Sequence, residues 1–545
     1  MNRREAMLSL AAATTTVATT ADSATATSDA PDFVNPYEGV DWETWGIVHS
    51  MSHQHQGTTD NSRDVFRDMG YGHFAFSNYY ASAPTDLPKT YREANPDIVW
   101  SPNAEQHSFL DSGLHANSLG SRLATGYGRY LSAGDRKKAP IQFAFEGLHV
   151  FDEQRPWEGV YRFDLRLAKV AGDASSDDPA AKLTLTGAHV CNRKESFADE
   201  GPVQNREFAA GDHTIYVRAT SETMGMTLTY SAEELTVGRC RLMQGTNRPW
   251  REMFQATFDE LLHPDGGGIT LNHPTGKLET YIEMLDVDQR VLGIEVWNQL
   301  TSGFGSNRGF YASMKEPPAH FYQLWDQILS TGRRCWGFFV KDHNTYGRGR
   351  NILLAPPLTD LSSEEREAAL LRAYRNGTFF GSIASIATDQ TGKPIMPFDL
   401  SDLRFSRIHL RRNAEGRAVA VEAAVSGNDE NLRPNVQIRF ITDQGIASVI
   451  DGAEGEFSLP VNDPPKFIRV EAIAYPNTHL GGKPLDSKTI RNLSPAQIAR
   501  LHDNQFVKRG GPNFFGNSAE LQTPIPIIDQ IFSQPILGRS DNLGV

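Results

Sequence analysis

Gly268-Ile269-Thr270-Leu271-Asn272-His273-Pro274 is the stretch on which a reading of this chain turns. A short β-prone run ends at a histidine, and the proline that follows stops the strand. The pattern recurs elsewhere. Trp336-Gly337-Phe338-Phe339-Val340 runs into Lys341-Asp342-His343, and Gly46-Ile47-Val48-His49 leads into His53-Gln54-His55, with Asp60 five residues on. Glu105 lies beyond Val99-Trp100, and Gly113-Leu114-His115 follows it. All these histidines and acids are competent ligands for a divalent cation. One such pair would mean little; the series points to a multinuclear metal site and a metal-activated water.

Each motif also has a plainer reading. Residues two apart on a strand face the same way, so His53 and His55 can share one metal or form a pair of polar rim residues. Glu105 can bridge two cations through its two oxygens, or serve as a helix cap or surface carboxylate. His115 reads equally as a ligand or a satisfied core imidazole. Asp60 offers a hard oxygen of the kind a two-metal site uses. His273 and Asp342 stand where strands stop, which is where barrels place functional groups.

A chain of 545 residues exceeds what one core serves, so two to four domains are expected. The net charge of −13 argues against a nucleic-acid surface, which would want a basic face. It leaves room for a small anionic substrate, because bound divalent cations reverse the local field. After the leader, no stretch approaches the ~18 apolar residues of a membrane span. Residues 1–26 read as a twin-arginine-type export signal, with Arg3-Arg4, an Ala/Thr-rich run and Ala24-Thr25-Ala26 as cleavage site. A periplasmic or extracellular location is therefore expected. Cys191, Cys240 and Cys335 are too few for a disulfide framework, although one Cys191–Cys240 bridge is possible after export.

The texture divides the rest of the chain. Residues 30–137 alternate apolar runs with helical or loop segments, with a helix expected over Ser62–Met69, and that α/β pattern resumes over 247–390. Between them, residues 138–246 show period-two alternation in stretches such as Gly159–Leu167 and His213–Arg218, as an inserted antiparallel sandwich would. Helices are expected over Phe321–Ser330 and Ser363–Asn376, the second with an acidic, capped first turn. A C-terminal β-module is expected over 391–490, and a Gly-, Pro- and Asn-rich extension over 491–545.

The series of motifs resembles the polymerase and histidinol phosphatase (PHP) superfamily of metal-dependent phosphoesterases. The matching stretches are Ser52–Asp60, Gly113–Ala116, Gly268–Pro274, Gly293–Asn298 and Trp336–His343, spread over 42–128 and 251–382, a little under half the chain. The combination is specific although no single motif is. The resemblance implies an α/β fold, a distorted TIM-like (β/α)7 barrel, here with an inserted β-sandwich-like module and a C-terminal β-module. It implies that His53, His55, Glu105 and Asp342 hold one metal and that Glu105, His115 and His273 hold a second, with Glu105 bridging. Asp60 and His343 would belong to a third. Two or three divalent ions, zinc, manganese or iron, are thus the expected cofactors. The chain departs from the family at Ser77-Asn78-Tyr79, where Thr-Asp-His is usual, and at Lys341-Asp342-His343-Asn344, where Asp-x-His is usual. The first departure puts the third metal in doubt, and Lys341 could pair with Asp342 or face the substrate.

Two cations would lower the pKa of a shared water from ~15.7 towards neutrality and supply a hydroxide. Asp342 and His343 would serve the catalytic step, with His343 or His107 protonating the leaving group. Arg348 and Arg350 could form bidentate contacts to phosphate or be solvated loop arginines. Tyr79 and Tyr80 could line a pocket for an organic leaving group or belong to the core. The expected function is an exported metal-dependent hydrolase, a phosphoesterase acting on a small-molecule, saccharide or phosphoester substrate. The alternatives are hydrolysis of an amide, ester or glycosidic bond, and a ligand-binding barrel without catalysis. The sequence leaves the oligomeric state open.

Overall fold

The Gly268–Leu271 strand is buried along its whole length, as are Val291–Asn298 and Trp336–Val340. Strands buried on both faces read as continuous apolar runs, and these three pair parallel to one another. At Gly293 two of them approach closely: a Cβ there would lie 1.9 Å from the Trp336 carbonyl oxygen. Ala116–Leu119 and Glu105–Gln106 extend the sheet antiparallel, making five strands. The helices Trp250–Asp259, Leu278–Leu285 and Tyr322–Leu329 supply Phe254, Met284 and Trp325 to the core cluster that also holds Ile269, Ile294 and Val296.

This computed structural model describes residues 33–55, 60–77, 89–106, 115–121, the strands within 141–244, 250–274, 276–298, 321–342, 349–383, most of 402–493, 498 and 528–538. The export-signal reading of 1–26 lies outside them, as does most of the 491–545 extension.

A second, 11-stranded sheet contains Gly46–Met51, His73–Phe74 and Val99–Trp100, again parallel. Every other pairing in it is antiparallel. Gly46–Met51 pairs with Gly349–Ala355, that strand with Phe379–Ile383, and Phe379–Ile383 with Asp529–Ser533. Phe467–Tyr475 and Asn435–Thr442 join the same sheet. Behind them a three-stranded sheet (Arg404–Arg412, Ala418–Ser426, Glu454–Ser458) packs Ile408, Leu410 and Val421 against Ile438, Phe440 and Val470. The described strands within 141–244 form two further, wholly antiparallel sheets of six and four strands.

The seven-stranded (β/α)7 barrel expected from the resemblance is not what these residues form. Strand outweighs helix, with 31 strands against 7 helices among the described residues, and several mixed sheets replace a single closed one. Among the described residues, parallel strand pairing occurs in two runs of three strands, each continued on one side by antiparallel neighbours, and an isolated parallel bridge links Gln54 to Asp342. A short apolar run does not reveal which strand it pairs with or in which direction. Reading the apolar runs of 30–137 and 247–390 as staves of one parallel barrel therefore overcounted.

The helix Ser363–Asn376 lies where the two sheets meet, and its Leu370, Leu371 and Tyr374 share a cluster with Val99, Leu353, Phe338 and Val340. Its start is fixed by a capping box: Ser362 Oγ accepts from the Glu365 N–H, and the Glu365 carboxylate accepts from the Ser362 N–H.

Buried Asn351 joins the sheets more directly. Its Oδ1 accepts from the Phe339 N–H at 3.0 Å, and its Nδ2 donates to Ser52 Oγ at 3.0 Å. Asn351→Ala strands a buried N–H and should cost about 1–3 kcal/mol. Urea unfolding of the two proteins checks this; a change below about 0.5 kcal/mol would mean that Asn351 does not bind the sheets together.

Candidate metal centre

The residues that matter lie at the ends of strands from both sheets, and backbone contacts fix each one. Ser52 follows Gly46–Met51, and its carbonyl accepts from Asn103 Nδ2 at 2.7 Å and Asn117 Nδ2 at 3.0 Å. That grip sets the path of the next three residues. The Asp342 N–H donates to the His53 carbonyl at 3.0 Å, and the His55 N–H donates to the Asp342 carbonyl at 3.2 Å. His53, His55 and Asp342 are thus brought together by main chain before any side chain is considered. Glu105 pairs with Asn117 in register, and the Asn272 N–H donates to the His115 carbonyl at 2.9 Å.

His273 and Asp342 have positive φ, 24° and 56°, and Phe321 is the one other non-glycine so placed among the described residues. This backbone region costs a side chain of order 1–3 kcal/mol and persists where the surroundings impose it. Two of the three such residues carry the groups of this centre.

One carboxylate stands in the middle. Glu105 Oε2 is 2.7 Å from His55 Nε2 and 3.4 Å from His53 Nε2, while Oε1 is 2.9 Å from His115 Nδ1 and 3.2 Å from His273 Nε2. Asp342 Oδ1 is 3.3 Å from His55 Nε2 and 3.4 Å from His53 Nε2. The groups form two sets, His53–His55–Asp342 and Glu105–His115–His273, and within each set the ligand atoms all lie within 4.8 Å of one another.

The donor chemistry fits a pair of divalent cations. Three buried carboxylates, Glu105, Asp342 and Glu295, stand among four imidazoles. Unpaired, such acids would repel one another in a medium that screens poorly. Two divalent cations would balance them to within one charge, and mixed imidazole and carboxylate ligation suits zinc, manganese or iron. Without cations, His53 and His273 supply counter-charge. Burial opposes a charged His53, but Glu295, Asp342 and Glu105 outweigh it and raise its pKa well above 6.5. Burial likewise opposes a charged His273, and its hydrogen bond to Glu105 with the surrounding acids reverses the balance upward. For Glu105, burial favours the neutral acid, yet His53, His115 and His55 hold its carboxyl well below the usual range.

The two sets differ in access. His53 and His55 are at most 1% exposed, whereas the side chains of His115 and His273 are 34% and 21% exposed. The His53–His55–Asp342 set is enclosed, and the Glu105–His115–His273 set is open to solvent through its two histidines.

Of the residues singled out from the sequence, His53, His55, Glu105, His115, His273 and Asp342 are thus brought together. Asp60 begins the helix Asp60–Asp68, but its side chain lies outside the described residues, as do Asn78, Tyr79, Tyr80, His107, His343 and Arg348. The proposed Cys191–Cys240 bridge lies outside them as well, while Cys335 is a buried free thiol. Arg350 is not a loop arginine at the centre. It lies within the Gly349–Ala355 strand, 1% exposed, with Tyr71, Asp529 and Asp402 as its stabilising electrostatic neighbours. Lys341 turns the same way, its Nζ 4.4 Å from the Tyr71 ring centroid and 5.3 Å from that of Phe66.

The sequence reading gave no role to Glu295, Asn272 or Asn298. Glu295 Oε1 is 2.5 Å from His53 Nδ1, and its Oε2 accepts from the His273 N–H at 2.6 Å and from Asn298 Nδ2 at 2.8 Å. Asn298 Nδ2 also donates to Asp342 Oδ2 at 3.1 Å, and Asn272 Nδ2 to Glu105 Oε1 at 3.0 Å. A signal was present: Glu295 is the one charged residue in an eight-residue, wholly buried strand, where a charge needs partners.

No protein-family model matches this chain, and no curated protein matches it. Among the described residues, no helix is long and apolar enough to cross a membrane.

The shifted imidazoles give the metal-free protein a pH signature. Groups whose folded pKa is raised contribute stability that is complete below the unfolded value of 6.5 and is lost as pH climbs through the folded value. The depressed Glu105 adds stability that persists above about 4.5 and is lost on acidification. Cations compete with protons for the same nitrogens, so metal affinity should rise over the window above 6.5 in which the metal-free protein weakens. Thermal melts with a chelator and with zinc or manganese should therefore diverge as pH is raised above neutrality. Parallel curves would show that these imidazoles do not exchange protons for metal.

Proposed function

We propose that this protein is a metal-dependent hydrolase acting on a phosphate ester. The observation that carries this reading is the division of Glu105 between two histidine sets, one oxygen to each, which is the arrangement a bridging carboxylate adopts between two cations. His53, His55 and Asp342 would hold one ion, His115 and His273 the other, with Glu105 shared. When bound, such a pair supplies Lewis acidity towards a substrate oxygen and acidifies a water enough to make it a nucleophile near neutral pH.

The chain's own groups do the rest by position. The exposed edges of His115 and His273 mark the side from which substrate approaches, and the enclosed His53–His55–Asp342 set anchors the far side. Asn272 and Asn298 hold the Glu105 and Asp342 carboxylates in orientation. The order of the ligand motifs along the chain is what relates this proposal to the PHP superfamily; the relation is one of ligand order and not of barrel architecture.

A second reading, hydrolysis of an uncharged ester, amide or glycosidic bond, has its own support. A phosphate would gain from nearby cationic side chains, whereas Arg350 is buried within its strand and Lys341 Nζ stands over the Tyr71 and Phe66 rings.

Elemental analysis should give close to two zinc, manganese or iron ions per chain. The loaded protein should hydrolyse p-nitrophenyl phosphate or its bis-ester, and a chelator should abolish turnover. Glu105→Gln and His273→Ala should each lower turnover at least about a hundredfold, since even outer-shell partners are worth 10–100-fold. A full metal complement with no phosphoester turnover sinks the phosphate assignment, and an ester and amide panel then tests the second reading. A purified protein without metal sinks both.

A further inference from the structure

We propose that Glu295 is the positioning residue that couples the two cation positions. It presents His53 Nε2 to one of them and holds the main chain of His273 in place for the other. This rests on the two-cation reading above and extends it to a residue that would touch neither ion.

The Val291–Asn298 strand is buried at all eight positions, and Glu295 is fully enclosed within it. A charge there survives only if its oxygens are occupied. They are, and they face opposite sets. Oε1 lies 2.5 Å from His53 Nδ1. A carboxylate only accepts, so Nδ1 carries the proton and the ring turns Nε2 towards His55, Glu105 and Asp342. Such outer carboxylates commonly fix the tautomer of a ligating histidine. Oε2 accepts from the His273 N–H at 2.6 Å, the residue whose φ is 24°. That bond holds a backbone conformation the side chain would otherwise avoid, and with it the direction in which the imidazole leaves the strand end. Asn298, donating to both Glu295 and Asp342, extends the same carboxylate to a third member of the centre.

Every partner of Glu295 is a donor: the imidazole Nδ1–H, the His273 N–H and the Asn298 amide. Glutamine has the same shape but only one accepting oxygen, so Glu295→Gln cannot serve both sides. With its NH2 towards His53 it forces the proton onto Nε2 and removes that ligand atom. With its NH2 towards His273 it meets two donors, and the turn loses its anchor.

The test is cobalt(II) binding by the full chain at buffered free metal, read by elemental analysis and by the visible cobalt spectrum. The wild type should take up two ions. Glu295→Gln should bind at least one of them about 10–100-fold more weakly, with an altered spectrum. If Glu295 acts through His53, the double variant His53→Ala/Glu295→Gln should be no weaker at the enclosed position than His53→Ala. Two ions bound by Glu295→Gln within twofold of wild-type affinity and with an unchanged spectrum would overturn the coupling and leave the two-cation reading standing. A wild type that takes up no cobalt overturns both. Should Glu295→Gln fail to fold, nitrogen-15 imidazole spectra of the wild type carry the test: His53 must be protonated at Nδ1 and metal-bound at Nε2, and ligation through Nδ1 would overturn the proposal.

Discussion

The placement of the Glu105 carboxylate is the constraint around which this centre is built. A buried acid needs partners for both oxygens, and here each oxygen faces a different pair of imidazoles. Those four histidines come from segments separated by as much as 220 residues of sequence, His53 to His273. Charge and hydrogen bonding hold them within a few ångströms although local sequence does not. The same carboxylate divides the centre into an enclosed half and an accessible half.

The fold serves that placement through strand ends. Two runs of three parallel strands, one in each large sheet, deliver ligands where the strands stop, and Asn351 and the helix Ser363–Asn376 keep the sheets in fixed relation. The two strained residues, His273 and Asp342, are both tied by hydrogen bonds to other parts of the centre: His273 to Glu295, and Asp342 to the main chain of His53 and His55. Backbone strain at such positions is sustained by the network around it. A second layer of Asn117, Asn272, Asn298 and Glu295 orients the first.

The proposed chemistry follows from the donor set more than from the architecture. Imidazoles and carboxylates at these separations suit a pair of hard or borderline cations, and such pairs favour hydrolysis. On the proposed reading, the bond cut would depend on groups around the open side, near His115 and His273. Two candidates for phosphate recognition are buried, Arg350 within its strand and Lys341 against the Tyr71 and Phe66 rings.

Much of this was legible in the residues, because metal-ligand chemistry is local. A histidine pair two apart, an acid after an apolar run, a histidine before a proline and an aspartate ending a buried strand can each be read where they stand. Several elements were legible for the same reason: Ser363–Asn376 carries its own capping box, and Trp336–Val340 and Val291–Asn298 are dense in apolar residues. Strand pairing was not, because direction and partner are properties of two segments at once. The barrel therefore gave way to mixed sheets, and Phe467–Tyr475 and Asp529–Ser533 turned out to complete the sheet that begins near residue 33. Glu295 shows the same limit within the centre. The sequence by itself determined which residue types stand at the strand ends and hence what chemistry is available. Only the tertiary structure decided which of them meet and which way Arg350 and Lys341 face, and only there did Glu295 emerge with an oxygen towards each set, because those outcomes depend on long-range packing.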